Sequence, residues 1–268
     1  MINFSQIIAE ELAKNSEQLK TSYFTKNKLT STKYFILDNV LPVDTVTKLY
    51  ESLPCSDIYH SFNSFREKKY TFARLDQLKT NLPNLITDAF QSMEVINEIQ
   101  KITEIDGLEA DYTLYAGGIS RMDKGHFLNP HIDNSHDASR KKYRRLNTLF
   151  YITPNLNEAD GGNFELWDSK VKTPHKIPSL FNRLVVMETS RTSWHSVDPV
   201  MSDVRRCCVS NYYFSEHSST GENYYHVTSF LGRPGQPFRR VYGRIDNALR
   251  NVVAKTLKTS RGKELGRR

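Results

Sequence analysis

The sequence has little cysteine: three residues in 268, of which Cys207 and Cys208 are adjacent and Cys55 stands alone. An odd count with one adjacent pair makes a poor disulfide framework and suits a reducing compartment. Neighbouring strand residues face opposite sides, so Cys207 and Cys208 are expected to pack separately and not to share a metal. Long hydrophobic runs are also missing. The longest, such as Leu184-Val185-Val186-Met187, fall far short of the roughly 20 residues that cross a bilayer. Met1 to Lys20 carries Glu10, Glu11 and Glu17 and lacks the basic start and apolar stretch of a secretory signal, so a cytoplasmic protein is expected. Acidic residues are scarce at one end only. Residues 233–268 hold 11 Lys or Arg against Asp246 and Glu264, a net +9; the chain totals +7, so residues 1–232 carry −2. Basicity is thus a property of the C-terminal segment, and arguments about acidic partners concern that segment. No base-stacking platform or nucleic-acid motif is present, and no nucleic acid is expected as a partner.

What is present suits a packed globular chain: 38% hydrophobic residues, with 14 Phe and 14 Tyr. Apolar spacing predicts helices over about 3–20, from about Pro42 to Leu53, and over about 84–102, with a strand at about 33–40. From about Leu108 the pattern becomes short alternating segments: Tyr112–Tyr115, Thr148–Ile152, Asn163–Trp167, Arg183–Glu188 and Arg206–Phe214. Gly117-Gly118, Pro154-Asn155 and Asp160-Gly161-Gly162 punctuate them. Such a series reads as a β-sandwich or barrel.

His131-Ile132-Asp133 is the sharpest local feature, because residues i and i+2 of a strand face the same side and can meet one cation. His195, after the strand Arg183–Glu188, is the leading third ligand; His126 and His136 compete by proximity to the motif. Two imidazoles and one carboxylate on one face of an octahedron leave three positions open, as in non-haem iron(II) oxygenases. Ten residues after His195, Arg205-Arg206-Cys207-Cys208-Val209-Ser210 begins a further strand. Alternation puts Arg206 and Ser210 on one face, where a guanidinium and a hydroxyl can clamp a carboxylate; Arg205 falls on the other and stays as an alternative.

These motifs, with Tyr34 through Pro42, Leu149-Phe150-Tyr151-Ile152-Thr153, Asp160 through Phe164, Asn182 through Met187 and Trp194-His195-Ser196-Val197, resemble the prolyl 4-hydroxylase-like branch of the 2-oxoglutarate/Fe(II)-dependent oxygenases in order and spacing. The resemblance covers roughly Lys33 to Ser215. It implies a double-stranded β-helix, a distorted jelly roll, supported by N-terminal helices. It divides the chain into an N-terminal helical segment (1–32), the oxygenase domain (33–217) and a basic C-terminal extension with an amphipathic helix (218–268). It also implies that His131, Asp133 and His195 bind iron as the catalytic centre, and that Arg206 holds the distal carboxylate of 2-oxoglutarate with Ser210 and Tyr151 assisting. Fe(II), 2-oxoglutarate and O2, with ascorbate in support, would then hydroxylate a C–H bond while 2-oxoglutarate becomes succinate and CO2. An aspartate at 133 favours hydroxylation over halogenation.

The loop 135–145 departs from the resemblance. It is strongly basic and, with Arg121, Lys124 and Arg144, is expected to form a positive rim that suits an anionic small molecule or a glycan- or lipid-linked substrate. A protein prolyl residue is the alternative substrate. A non-catalytic jelly-roll binding module and a zinc hydrolase using the same ligands are the alternatives of other classes. In the C-terminal segment, Phe238, Val241, Ile245, Leu249 and Val252 recur at helical steps among basic residues. That pattern is compatible with docking on the domain or with peripheral contact at the inner face of a membrane.

Overall fold

Strand alternation organises the molecule. In the computed structural model, which describes residues 2–55, 58–115 and 117–257, Leu184 and Val186 point into a core shared with the helices, while Val185 and Met187 point into the interior of a curled sheet. The adjacent cysteines split likewise, Cys207 to the helix side and Cys208 to the interior. Burial pushes their thiols up to about 12 and about 11, so both stay protonated at neutral pH.

Among the described residues the strands are β1 (Tyr34–Asp38), β2 (His60–Asn63), β3 (Glu67–Phe72), β4 (Glu109–Ala110), β5 (Gly118–Met122), β6 (Phe127–Ile132), β7 (Tyr143–Tyr151), β8 (Phe164–Trp167), β9 (Pro174–Ile177), β10 (Arg183–Glu188), β11 (His195–Val197), β12 (Arg206–Ser215) and β13 (Ser229–Phe230). They pair antiparallel in the order β1-β10-β7-β12-β5-β3-β6-β11-β8-β9, with β13 on β6, β2 on β3 and β4 on β12. This is the distorted jelly roll expected from the sequence.

The helices are α1 (Phe4–Lys14), α2 (Ser16–Phe24), α3 (Val43–Glu51), α4 (Leu82–Phe90), α5 (Met93–Thr103) and α6 (Pro237–Leu257). Two of the predicted helices are each divided. At Asn15 the backbone leaves helical geometry (φ −103°, ψ 8°) and the Asn15 amide donates to Glu11 O at 2.8 Å. At Ser92 the hydroxyl accepts from Val95 N at 3.4 Å and starts α5 afresh. Apolar spacing alone does not register such side-chain caps. Tyr112–Tyr115, predicted as a strand, is a turn, because the Asp111 carboxylate accepts from Thr113 N (3.1 Å) and Tyr115 N (2.7 Å). The hairpin β2–β3 went unpredicted because its residues, His60 to Asn63 and Glu67 to Phe72, are polar and mostly half-exposed.

Phe150 is fully buried in the helix-side core, its ring 5.3 Å from that of Phe90 on α4. Phe150→Ala should cost about 3–5 kcal/mol of stability, read from the urea midpoint. A cost below about 1 kcal/mol would show that the helices do not brace the sheet.

Candidate metal and co-substrate site

The last residues of β6 and the first of β11 lie side by side, with His131 opposite His195 in the register. Asp133 follows β6 directly, and the three side chains offer ligand atoms that all lie within 4.8 Å of one another. His131 Nε2 is 3.6 Å from Asp133 Oδ1, and His195 Nε2 is 3.4 Å from Oδ2. The other nitrogen of each ring is committed: His131 Nδ1 donates to Asn129 O at 3.0 Å, and His195 Nδ1 donates to Ser193 O at 2.9 Å. A carbonyl can only accept, so Nδ1 carries the proton and Nε2 presents its lone pair to the cluster. Burial, then the neighbouring His195, lowers the pKa of His131 and keeps it neutral at pH 7. Among the described residues neither His126 nor His136 joins the cluster; His136 bonds Ser135 Oγ at 2.8 Å instead.

Asp133 is held as an anion. Burial opposes its charge, but Arg144, then His195 and His131, outweigh burial and keep the carboxyl well below the usual range. Asn147 Nδ2 donates to Oδ2 at 2.8 Å, and Arg144 approaches the same oxygen at 3.6 Å. Arg144 itself is pinned by Asn147 Oδ1 (2.8 Å) and by the Tyr212 ring, 3.4 Å below its guanidinium carbon. Its side chain is 2% exposed, so it backs the carboxylate from within instead of standing on an open rim.

Beyond the cluster lies an inner cavity of about 110 Å³, on whose wall stand Tyr151, Arg206, Cys208, Ser210 and Tyr212. Alternation along β12 delivers Arg206, Cys208, Ser210 and Tyr212 to this wall. Arg205 goes the other way, over the Tyr50 ring of α3 at 4.9 Å. The Arg206 guanidinium is 3% exposed and donates to Gly162 O (3.0 Å), Ser179 Oγ (3.2 Å) and Met122 Sδ (3.8 Å); among the described residues no carboxylate pairs with it. Its carbon sits 4.8 Å from the centre of the Tyr151 ring. Ser179 and Arg206 are near enough to the Tyr151 hydroxyl to bias it, yet that hydroxyl is buried with no hydrogen bond of normal geometry. Burial raises its pKa, so it remains a donor. A buried cation without an anion beside an idle donor is costly unless an anionic guest completes it.

An outer cleft of about 400 Å³ opens from the other side of His131 and Asp133. Lys69, Arg74, Arg140, Arg144 and Arg250 line it, with Phe62, Tyr115, Tyr212, Tyr225 and Phe230. Lys69 borders both cavities, and burial is overcome by Glu67, 3.0 Å away, which raises its pKa. Sequence reasoning missed Lys69 because the hairpin that carries it was not foreseen. Arg121 and Lys124, expected on the rim, line neither cavity. Arg121 lies opposite Cys207, on the outward phase of β5, and pairs with Asp123 at 2.8 Å; Lys124 pairs with Asp203 at 2.8 Å.

The C-terminal extension takes part as well. Phe230 on β13 lies opposite His131, and its ring stacks on that imidazole at 5.1 Å and 17°. Behind β11, Arg233 donates to buried Glu165 Oε2 (2.7 Å) and to Val197 O (3.0 Å); Ser196 Oγ donates to the same carboxylate at 2.5 Å. This ion pair ties the extension to the strand that begins with His195.

Residues 117–214 match the sequence model of the 2OG-Fe(II) oxygenase superfamily. Among solved structures, a prolyl hydroxylase from Trichoplax adhaerens in complex with a hypoxia-inducible-factor peptide is 18% identical. That likeness covers 79% of this chain and 92% of that one, with a TM-score of 0.51. A Pseudomonas putida prolyl-4-hydroxylase is 14% identical over 79% of this chain and 100% of that one, with a TM-score of 0.53. SnoN, a non-haem α-ketoglutarate-dependent epimerase from nogalamycin biosynthesis, is 12% identical over 83% and 87%, with a TM-score of 0.53. No curated protein matches the chain in sequence. The matched segment, with its His-Asp-His cluster, is a 2OG-Fe(II) oxygenase domain. The chain thus carries a domain of the class that uses Fe(II), 2-oxoglutarate and O2.

Asn147→Ala leaves every ligand atom in place but frees the Asp133 carboxylate. Affinity for Co(II), read by anaerobic calorimetry, should fall about 10–100-fold while the far-UV circular dichroism is unchanged. An unaltered affinity would show that Asn147 does not orient Asp133.

Proposed function

We propose that His131, Asp133 and His195 hold the iron, that Arg206 with Tyr151 and Ser210 holds 2-oxoglutarate, and that the enzyme hydroxylates a C–H bond of a small anionic substrate bound in the outer cleft. The observation that carries this reading is the buried Arg206 guanidinium, without a carboxylate partner, beside the idle Tyr151 hydroxyl on a cavity that also reaches His131, Asp133 and His195. The residues fit the absent groups: two neutral Nε2 lone pairs and one carboxylate suit a divalent metal with open positions, and a guanidinium with a phenol suits a carboxylate. Iron with 2-oxoglutarate supplies the oxidising chemistry, in which O2 is reduced and 2-oxoglutarate becomes succinate and CO2.

The chain's own residues supply the rest. Asp133 contributes the negative charge that offsets a divalent cation, and Asn147 and Arg144 fix its orientation. Arg206 and Tyr151 bind the far carboxylate of the co-substrate and so point its other end at the metal. Phe230, stacked on His131, and Tyr212 place apolar surface beside the cluster and restrict water there.

The anionic substrate is read from the cleft. Five cations and three carboxylates line it; Lys69 pairs with Glu67 and Arg144 with Asp133, while Arg74 and Arg250 lie 3.7 Å from Asp76 and 3.9 Å from Asp246, carboxylates outside the lining, so the lining itself is net positive. A sugar phosphate or other carboxylated or phosphorylated molecule would gain from that excess. A protein prolyl residue is the second reading, since the Trichoplax structure of similar fold holds a peptide.

Under anaerobic conditions a weak visible charge-transfer band should develop only when Fe(II) and 2-oxoglutarate are both present. Arg206→Ala should weaken 2-oxoglutarate binding by at least about 100-fold, the order expected for a buried charged contact. Zinc-supported hydrolysis that survives Arg206→Ala would instead favour a hydrolase. In a substrate panel, anionic molecules should raise succinate formation above the uncoupled rate, and Arg74→Ala should raise their KM more than it lowers kcat. Stimulation by neutral proline peptides alone would replace the anionic reading with the prolyl one.

A further inference from the structure

α6 docks by its polar side. Asn247 accepts from Phe230 N at 3.0 Å and donates to Phe230 O at 2.8 Å, and Asp246 pairs with Arg66 at 2.5 Å. Gly243 lets the helix approach: a Cβ there would lie 2.7 Å from Phe230 O. Arg240 is anchored to the carbonyls of Val171, Gly232 and Lys170, each at 3.0 Å. The sequence left docking on the domain and contact with a membrane both open; the helix does dock, but through its polar side. Phe238, Val241, Ile245 and Leu249, at steps of three, four and four, form one stripe directed outward, 89%, 58%, 57% and 62% exposed.

We infer that this stripe is a docking surface for an anionic lipid bilayer. The stripe is about 16 Å long at 1.5 Å per residue, enough for a helix lying in the interface and too short for a span; no described helix is long and apolar enough to cross a membrane. Charge selects this occupant over a second copy of the chain. Residues 237–257 carry Arg239, Arg240, Arg244, Arg250 and Lys255 against Asp246 alone, and the sequence beyond adds Lys258, Arg261, Lys263, Arg267 and Arg268 against Glu264. Two such helices face to face would oppose like charges, whereas an anionic surface complements them. Arg250 of the same helix lines the outer cleft, so attachment through α6 brings the cleft next to the bilayer that could carry a substrate.

The full-length protein should co-sediment with vesicles of phosphatidylglycerol and phosphatidylcholine, and not with phosphatidylcholine alone. Binding should fall at least tenfold between about 50 mM and 500 mM salt. The double variant Ile245→Asp, Leu249→Asp should lose binding by at least tenfold while its thermal midpoint and Co(II) affinity stay unchanged. Should that variant misfold, Phe238→Ser removes the most exposed member of the stripe and should show the same loss. Equal sedimentation with both vesicle types, or none with the anionic ones, overturns the inference. So does a concentration-dependent dimer by light scattering that the same variants abolish. Because Co(II) affinity and 2-oxoglutarate binding are read separately, failure here leaves the oxygenase assignment untouched.

Discussion

The uncompensated guanidinium of Arg206 is the constraint around which the interior is arranged. A charge buried to 3% must be surrounded by donors' counterparts, and here they are a carbonyl, a hydroxyl and a thioether sulfur, none of them anionic. The jelly roll can tolerate such a cation because strand β12 is paired on both edges, to β7 along Cys208–Ser215 and to β5 along Arg206–Ser210. The apolar phase of that strand, Cys207, Val209 and Tyr213, is packed into the helix-side core. The helices therefore do more than cover the sheet: they hold one phase of β12 so firmly that the opposite phase can carry polar groups whose partner is a guest molecule.

The same division explains why the metal cluster is preformed. Both histidines take their orientation from a carbonyl two residues earlier in their own chain segments, so the direction of each lone pair is fixed by local backbone. Asp133 has no such local tether and depends on Asn147 and Arg144, which come from β7 across the barrel. The carboxylate is the ligand whose placement requires the folded sheet.

Much of this was legible in the sequence, for a physical reason. Period-two patterning is strongest where both faces of a strand are buried against different surroundings, so Arg183–Glu188 and Arg206–Phe214 revealed their faces, and with them Arg206 and Ser210. His131-Ile132-Asp133 was readable because its spacing is local. Contributions that depend on long-range pairing were not. Lys69 sits on a polar hairpin with no apolar alternation to announce it, and Phe230 follows a turn-rich stretch that gives no sign of adding a strand beside His131. Arg144 looked like one more charge in a basic loop. Its burial follows from the start of β7 at Tyr143, earlier than the apolar pattern suggests. Helix breaks at Asn15 and Ser92 were hidden because a single side-chain hydrogen bond decides them.

The strand β13 ties the ligand cluster to the C-terminal extension. Phe230 and His131 are about a hundred positions apart in sequence, so the ring that shields the imidazole is supplied by a non-local pairing. The pairing of β13 with β6 therefore covers one side of a cluster whose three ligands all come from earlier elements. Through Phe230 and Arg233 the exposure of the ligand cluster is coupled to the seating of the extension.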